Sequence, residues 1–463
     1  MMSPQCHRRD FLRTLGVGSV CFAARSLLGA QSLFSTASAG RRRPNILLIL
    51  TDDQGSVDAR CYGAEDLHTP NMDALAERGT RFTQFYVGAP VCSPSRAALL
   101  TGRTPQRAGL PGNAGGNRGL PSEQITMAEM LQKEGYRTAV FGKWHLGLSP
   151  EMGPLNQGFE EFFGHKEGCI DNYSHYYYWR GPNRHDLWRN EEEVWEEGKF
   201  FPDLIVREAN RFMEAHKEEP FFMYLPFNVP HYPLQGQEKY REIYKDLPAP
   251  RRMYAAMVST VDEKIGQILA KLDDLGLREE TIVIFLSDHG HSVEERTFFG
   301  GGSSGPYRGH KFTLWEGGIR VPCIVSWPGK IPENEVREQF TVSADWLPTV
   351  AEYCGARKPK WGIDGKSLVK VIADADASSS HKVFHWDRGG HWAVREGDWK
   401  LVHNGPSTKE KEGEIPKVEW FLSNLAEDAT ERVNLAEKHQ EVVQRLTALH
   451  EKWVSSCYGK QSR

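Results

Sequence analysis

Two continuous apolar segments, each followed at once by polar side chains, constrain the fold of this chain more than any other feature. They are Asn45 to Thr51 (NILLILT), before Asp52 and Asp53, and Thr281 to Ser287 (TIVIFLS), before Asp288 and His289. A short apolar run without polar alternation is typical of a strand buried on both faces of a parallel sheet. Ligands of open α/β sheets bind beyond the carboxyl ends of such strands. We therefore expect both polar pairs at one edge of a sheet, where adjacent carboxylates favour a divalent cation such as Ca²⁺ or Mg²⁺.

The segments around these strands alternate between strand and helix patterns. Strands are predicted at residues 136–141, 221–227 and 323–327, and helices at 72–78, 204–216, 253–275 and from Thr126 toward Gly135. Thr126 and Glu129 have the spacing of a capping box, and Asn71 is the predicted cap of the helix at 72–78. The alternation predicts an α/β fold with a doubly wound, mainly parallel sheet sandwiched by helices.

The pattern changes after about residue 372. The predicted elements are a linker at 373–380 (ADADASSS), a hairpin at 391–403 that turns at 396–398, a strand at 421–425 and a closing helix at 431–453. We therefore expect a large α/β domain over residues 40–372. A smaller C-terminal α+β domain with an antiparallel sheet is expected over residues 373–463.

The first 39 residues have the arrangement of an export signal. Arg8 and Arg9 precede Phe11-Leu12, an apolar stretch rich in Gly and Ala follows at 15–24, and Ala37-Ser38-Ala39 offers small residues for cleavage. This order resembles a twin-arginine signal peptide. A disordered or amphipathic N-terminus is the alternative. We expect the twin-arginine export machinery to carry the chain to the periplasm or the outside of a bacterial cell.

Charge and hydropathy exclude several classes of protein. Lys and Arg number 57 against 61 Asp and Glu, a formal net charge of −4, so we expect no nucleic-acid-binding surface. No apolar run reaches membrane-spanning length, so we expect no membrane span in the mature protein. The cysteines after residue 39 are far apart and lack metal-type spacing, so we expect few disulfides or none.

Cys92 begins a segment with the pattern of a helix start. Pro94 suits the first turn of a helix, where a missing N–H costs little. Cys92 then lies at the helix N-terminus, which favours negative charge, and Arg96 lies one turn later. Taken alone, Cys92 is either a cysteine nucleophile of low pKa or a buried structural cysteine.

The segment CSPSRAALLTG at 92–102 resembles the signature of the type I sulfatases, within the alkaline-phosphatase superfamily. Other segments resemble that family in the expected order: NILLILTDD at 45–53, GKWHLG at 142–147, His231-Tyr232-Pro233, SDHG at 287–290, Arg308 to Lys311, EGGIRVP at 316–322 and VREGDWKLV at 394–402. The resemblance covers roughly residues 43–330 and continues more weakly into the C-terminal part. It implies that the domain at 40–372 is catalytic.

The resemblance also implies two cofactors. Cys92 is expected to be oxidised to Cα-formylglycine by a formylglycine-generating enzyme. A divalent cation, Ca²⁺ rather than Mg²⁺, is expected to be held by Asp52, Asp53, Asp288, His289 and the modified Cys92. His289 departs from the family pattern, because many members carry Asn there and an imidazole is a softer ligand than an amide oxygen.

The remaining roles are likewise implied by the resemblance. Arg96 and the cation favour the alkoxide of the hydrated formylglycine, which attacks sulfur. Lys143 and Lys311 bind sulfate oxygens, and His145 transfers a proton in the diol chemistry. His231 is the expected acid for the leaving alcohol, with Lys311 as the alternative.

The expected function is that of a sulfuric ester hydrolase that releases inorganic sulfate. We expect a sulfated carbohydrate as substrate, because Tyr173 to Trp195 is rich in aromatic and basic residues. Packing of that segment between domains is the alternative explanation. Two other functions stay open: a phosphonate or phosphate ester hydrolase on the same scaffold, and a sulfated-glycan-binding pseudoenzyme in which Cys92 is never converted.

Overall fold

The computed structural model describes residues 43–360, 362–410 and 413–458, so the predicted signal at 1–39 lies outside the described residues. The strands are β1 (Asn45–Asp52), β2 (Thr80–Phe82), β3 (Phe85–Tyr86), β4 (Arg137–Lys143), β5 (Glu161–His165), β6 (Tyr176–Tyr177), β7 (Arg184–His185), β8 (Trp188–Arg189), β9 (Glu192–Glu193), β10 (Phe221–Pro230), β11 (Thr281–Ser287), β12 (Cys323–Ser326), β13 (Glu335–Arg337), β14 (Thr341–Val342), β15 (Val383–Asp387), β16 (Trp392–Glu396), β17 (Trp399–Gly405), β18 (Thr408–Glu410), β19 (Gly413–Ile415) and β20 (Val418–Asn424). The α-helices are α1 (Pro70–Glu77), α2 (Cys92–Thr101), α3 (Met127–Gln132), α4 (Phe201–Ala215), α5 (Glu238–Ile243), α6 (Arg251–Asp274), α7 (Glu316–Ile319), α8 (Trp346–Cys354), α9 (Val369–Ala373) and α10 (Gln440–Tyr458). Short 3₁₀ turns are Arg60–Tyr62, Pro150–Met152, Pro154–Gln157, Arg278–Glu280, Glu295–Thr297 and Ser343–Asp345.

A ten-stranded mixed sheet forms the centre of the fold, in the order β13-β2-β12-β11-β1-β10-β4-β5-β8-β9. The neighbouring strands β11, β1, β10, β4 and β5 run parallel, and Leu48 of β1 pairs with Ile284 of β11 and Tyr224 of β10. Strand β12 is antiparallel to both of its neighbours, β11 and β2. The predicted α/β fold with a mainly parallel sheet is confirmed.

The position of strand β1 in the sheet explains why its sequence is a continuous apolar run. All its residues are buried, and its side chains alternate between two hydrophobic cores. Ile46, Leu48 and Leu50 share one core with residues of α2 and α3, whereas Leu47 and Ile49 share the other with residues of α4 and α6. Because successive strand side chains point to opposite faces, a sheet covered on both faces requires apolar residues at every position.

The helix predicted at 72–78 begins earlier, at Pro70, and its N-cap is Thr69 rather than Asn71. Proline is favoured in the first turn because its missing N–H would have no acceptor within the helix. The side-chain amide of Asn71 instead donates to Asp262 Oδ2 on α6 at 2.7 Å. The prediction that Asn71 caps this helix is therefore wrong.

The capping box predicted at Thr126 is confirmed. The N–H of Glu129 donates to Thr126 Oγ1 at 3.1 Å, and the N–H of Thr126 donates to the Glu129 carboxylate at 2.8 Å. These bonds satisfy two donors at the start of α3 that have no acceptor within the helix.

Strands β15, β16, β17 and β20 form a separate antiparallel sheet, as predicted for the C-terminal part. The predicted hairpin is confirmed by β16 and β17, in which Glu396 lies opposite Trp399. Helix α10 contributes Val442 and Leu446 to the hydrophobic cluster that this sheet forms. The domain boundary at residue 372 stays a prediction.

Helix α10 begins at Gln440 and not at Glu431 as predicted. Glu431 has a left-handed backbone with a φ of 55°, and its buried carboxylate accepts the N–H of Glu316 at 2.6 Å. Such a backbone does not continue a right-handed helix. Across the described part of the chain, none of the helices combines the length and apolar character needed to cross a membrane.

Candidate active site

The polar strand ends meet at one edge of the central sheet. Strands β1 and β11 pair in register along their apolar segments, so Asp52 and Asp53 emerge beside Asp288 and His289. The N–H of Asp53 donates to Asp288 Oδ1 at 3.2 Å, and Asp53 has a left-handed backbone with a φ of 65°. The parallel register therefore brings together two residue pairs that are more than two hundred positions apart in the chain.

Cys92, at the start of helix α2, lies at the same edge of the sheet. Cys92 is its first helical residue and Pro94 lies in its first turn. The Sγ atom of Cys92 lies 3.2 Å from His289 Nε2 and 3.7 Å from Asp52 Oδ1. The partial positive charge of a helix N-terminus favours negative charge on the side chain at position 92.

Asp52, Asp53, Cys92 and His289 form a buried cluster whose potential ligand atoms all lie within 4.8 Å of one another. Within the described residues, Oδ1 of Asp53 is buried and has no hydrogen-bond partner. His289 Nδ1 donates to the carbonyl of Gly290 at 3.0 Å, so its Nε2 faces Asp53 Oδ1 at 3.5 Å. An unpaired carboxylate oxygen opposite an imidazole nitrogen fits a divalent cation.

Asp288 borders this cluster but is held mainly by Arg96. Asp288 Oδ2 accepts from Nη2 and Nε of Arg96 at 2.9 and 3.2 Å, while its Oδ1 lies 3.4 Å from His289 Nε2. Arg96 Nη1 also donates to the carbonyl of Lys143 at 3.0 Å, and Nη2 lies 3.6 Å from Asp52 Oδ1. These contacts fix the planar guanidinium in one orientation.

Two buried lysines each pair with one of the adjacent aspartates. Lys143 Nζ lies 2.6 Å from Asp52 Oδ2, and Lys311 Nζ lies 3.0 Å from Asp53 Oδ2. Lys311 has a second partner, Glu294, whose Oε2 lies at 3.1 Å. Glu294 was missed by sequence reasoning. It lies in a loop five residues after His289, and only that proximity could have drawn attention to it.

Burial and charge shift the pKa values of these groups. Burial by itself raises the pKa of Asp52, but the nearby cations, Lys143 above all, bring it well below its ordinary value. Burial raises the pKa of Asp53 to about 8 against the attraction of Lys311. Burial also disfavours the Cys92 thiolate, yet Lys143 lowers the pKa of that thiol to about 6. Of Asp52, Asp53 and Cys92, only Asp53 therefore has a pKa that is raised, which means that its surroundings disfavour its negative charge.

His145 and His231 face the same site. His145 has a φ of 51°, and its Nδ1 is buried without a hydrogen-bond partner in the described part of the chain. His231 Nδ1 donates to the carbonyl of Tyr232 at 2.8 Å, so its Nε2 lies 3.7 Å from Asp53 Oδ2. Burial lowers the pKa of both rings well below the ordinary value, because it disfavours the charged imidazolium.

A cavity of about 660 Å³ opens beside the cluster. Four predicted site residues line it: Cys92, His145, His231 and Lys311. The segment 173–195 contributes Tyr177, Trp179, Arg180 and Arg184 to the wall. Among the wall residues that sequence reasoning missed are Asn113, Arg118, Glu167 and Glu294.

Every predicted site residue thus lies at one edge of the sheet or on the adjoining cavity wall. The cluster and its ion pairs contain Asp52, Asp53, Cys92, Arg96, Lys143, Asp288, His289 and Lys311, and the wall adds His145 and His231. The catalytic and ligating roles of these residues stay predictions.

Comparison with known proteins gives matches over most of the chain. The family model described as Sulfatase matches residues 44–356, and the model described as N-sulphoglucosamine sulphohydrolase, C-terminal, matches residues 309–455. Human arylsulfatase A is 36% identical over 413 residues, which cover 82% of this chain and 78% of that protein. N-acetylgalactosamine-6-sulfatase of Mus musculus is 32% identical, with 82% and 76% covered. The crystal structure of Ps i-CgsB in complex with k-i-k-neocarrahexaose superposes with a TM-score of 0.79 at 29% identity and covers 91% of this chain and 94% of that one.

Proposed function

The chain belongs to the sulfatase family and is a sulfuric ester hydrolase, and from that premise we propose that it releases inorganic sulfate from a sulfated carbohydrate. The nucleophile is a hydroxyl of Cα-formylglycine made from Cys92, and a bound divalent cation assists it. One observation carries this proposal. Cys92, at the start of α2, lies in one buried cluster with Asp52, Asp53 and His289 and also in the wall of a cavity large enough for a sugar.

The cation site consists of Asp52, Asp53, Asp288 and His289 together with the side chain at position 92. Three carboxylates make oxygen the main ligand, which favours Ca²⁺ over softer metals. Bound there, the cation supplies positive charge that favours ionisation of a nucleophilic hydroxyl. Formylglycine at position 92, once hydrated, would supply two hydroxyls: one to displace the alcohol from sulfur, and a second whose deprotonation would restore the aldehyde and release inorganic sulfate.

The cationic side chains bind and orient the sulfate group. We assign to Lys143 and Lys311 the binding of sulfate oxygens and of the charge that grows on them; their ammonium groups lie beside the two aspartates, which supports this assignment. Asp288 and the carbonyl of Lys143 hold the Arg96 side chain in one conformation, and this conformation directs its positive charge toward position 92.

Proton transfer is assigned to the histidines of the cavity wall. His145 Nδ1 has no hydrogen-bond partner among the described residues, and we assign to this ring proton transfer with the hydroxyl groups at position 92. His231 and Lys311 both face Asp53 from the cavity, so either can supply the proton of the leaving alcohol. To distinguish them, each residue is substituted separately, and turnover is measured with one sulfate ester that has a good leaving group and one that has a poor leaving group.

Two relatives support a carbohydrate substrate. One is named for N-acetylgalactosamine 6-sulfate hydrolysis, and Ps i-CgsB was crystallised with k-i-k-neocarrahexaose. In this chain, Tyr177, Trp179, Arg180 and Arg184 line the cavity and offer aromatic surface and positive charge to a sulfated sugar.

We also propose, from the sequence alone, how the protein is matured, where it is exported and how its domains are divided. A formylglycine-generating enzyme modifies Cys92, and the twin-arginine machinery exports the protein to the periplasm or beyond. Residues 40–372 form the catalytic domain and residues 373–463 the C-terminal domain.

The first experiment determines the chemical state of position 92 in protein purified from its own host. Mass spectrometry of the tryptic peptide Phe82–Arg96 distinguishes an aldehyde from a thiol. Turnover of 4-nitrophenyl sulfate and 4-nitrophenyl phosphate is compared on the same preparation. An aldehyde with preferential sulfate turnover is expected. A thiol in exported, cation-loaded protein contradicts the mechanism and supports a binding protein, and preferential phosphate turnover supports a phosphate ester hydrolase.

A further inference from the structure

The wall of the cavity contains more basic than acidic side chains. The basic ones are Arg118, Arg180, Arg184 and Lys311, and the acidic ones are Glu167 and Glu294. Each acidic side chain already has a basic partner, because Glu167 pairs with Arg184 and Glu294 pairs with Lys311. Two arginines, Arg118 and Arg180, are left over, and we call this pair the rim.

Both rim arginines are exposed, and within residues 43–360, 362–410 and 413–458 neither pairs with a carboxylate. Arg118 is oriented by its Nε, which donates to the carbonyl of Asn113 at 2.7 Å and leaves the terminal nitrogens for another acceptor. Arg180 follows Trp179, whose ring stacks on Tyr232 with 5.7 Å between ring centroids. Tyr232 in turn follows His231, which lines the cavity. On the other side, Asn113 Oδ1 accepts the N–H of Ser93, the residue after Cys92, at 3.1 Å, so Arg118 is also linked by contacts to the reacting end of the cavity.

This positive charge is a local property, since the whole chain has a formal net charge of −4. Guanidinium groups bind sulfate and carboxylate with paired hydrogen bonds. A cavity of about 660 Å³ also exceeds the space that one sulfate group fills. A substrate with a single anionic group would engage the buried lysines and leave both rim arginines without a partner.

We propose that Arg118 and Arg180 form a second anion subsite, so that the preferred substrate is a polyanionic glycan with at least one sulfate or carboxylate besides the ester that is cleaved. The inference rests on the proposed function, which places the cleaved ester at Cys92. It assigns substrate selection to two residues that are not part of the reacting cluster.

The test uses dextran sulfate oligosaccharides, which present sulfates at many spacings, and 4-nitrophenyl sulfate, which has one anionic group. Arg118→Ala, Arg180→Ala and the double variant are compared with wild type and with Arg252→Ala, an exposed arginine on α6 that does not line the cavity. The inhibition constant of the oligosaccharides is measured against hydrolysis of 4-nitrophenyl sulfate. Direct binding is measured by calorimetry on Cys92→Ser protein, in which turnover is expected to be about 10⁴-fold slower than in wild type.

Each rim substitution is expected to weaken oligosaccharide binding about ten-fold, the size of one charge-assisted hydrogen bond, and the double variant about a hundred-fold. The kcat/KM for 4-nitrophenyl sulfate is expected to stay within about two-fold, and Arg252→Ala to change neither quantity. Unchanged oligosaccharide binding in the double variant overturns the inference, as does an equal loss for both probes. If wild type hydrolyses no sulfate ester, the proposed function fails, but binding to the Cys92→Ser protein still decides whether the rim is an anion subsite.

Discussion

The floor and the rim of the cavity differ most in burial. We use floor for the buried charged groups at the sheet edge: Asp52, Asp53, Cys92, Arg96, Lys143, Asp288 and His289. They lie at strand ends and in the first turns of a helix, and each contacts an opposite charge or a potential ligand atom of the cluster. The rim arginines lie on loops and are exposed. Charges interact strongly in a buried site and weakly where water and salt screen them. We therefore expect the floor to determine the reaction and the rim to determine which substrate is preferred.

The largest expected effect comes from removing the nucleophile. Cys92→Ser is expected to lower kcat for 4-nitrophenyl sulfate by about 10⁴-fold, because an unmodified serine has no second hydroxyl to release sulfate. The melting temperature is expected to stay within about 3 °C, since the change replaces one atom. Steady-state kinetics and thermal unfolding measure both. Cys457→Ser, a partly exposed cysteine of α10, is the control and should retain wild-type turnover. Comparable kcat in Cys92→Ser and wild type would contradict the expectation that the floor determines the reaction.

Lys143 tests whether the floor acts through charge. Lys143→Met keeps a long side chain but removes the ammonium that lies 2.6 Å from Asp52 Oδ2. The kcat is expected to fall about 10² to 10³-fold, the typical cost of removing one group that stabilises transition-state charge. Kinetics in saturating Ca²⁺ measure the loss, and thermal unfolding shows whether the variant is folded. Lys133→Met, at the exposed end of α3, is expected to behave as wild type. If both variants keep full kcat, Lys143 has only a structural role.

Removing the cation tests whether the floor needs it for stability as well as for catalysis. Asp53 has a buried oxygen without a hydrogen-bond partner in the described residues, so a bound cation satisfies a group that the folded chain otherwise leaves unpaired. Ca²⁺ at a hundred times its dissociation constant is expected to stabilise the protein by about 2.7 kcal/mol. Calorimetric unfolding after chelation and after Ca²⁺ is restored measures the difference. The rim variant Arg180→Ala should show the same Ca²⁺ effect as wild type. An unfolding temperature that is the same with and without Ca²⁺ argues against a bound cation at this site.

Most of the floor could be predicted from local sequence patterns, whereas Lys143 was predicted only from the resemblance of residues 142–147 to the sulfatases. Two apolar runs predicted neighbouring strands, and the parallel register then placed Asp53 beside Asp288 across the sheet. Pro94 marked the start of a helix and so placed Cys92 at its N-terminus. None of these inferences needed a knowledge of loop conformation.

Arg180 of the rim lies in the segment 173–195, whose aromatic and basic composition indicated a sugar-binding role, but Arg118 and Glu294 could not be predicted in this way. Arg118 and Glu294 lie on loops, which have no periodic pattern, and which loops meet around a cavity depends on the packing of the whole domain. The same limitation explains the error at the start of α10. The pattern of apolar residues did not reveal that Glu431 turns inward to contact Glu316.

Glu294 lies between the two regions and has the smallest expected effect. Its carboxylate contacts Lys311 at 3.1 Å, accepts from Ser292 Oγ at 2.9 Å, and lies in the cavity wall. Glu294→Ala is expected to lower kcat/KM for 4-nitrophenyl sulfate about ten-fold, because Lys311 loses an acceptor that orients it. Glu294→Gln keeps an acceptor oxygen and is expected to stay within about three-fold of wild type. Glu295→Ala, the exposed neighbour, serves as the control. Equal losses in the Gln and Ala variants would mean that the negative charge matters rather than the hydrogen bond, and Glu294 would then belong electrostatically with the floor.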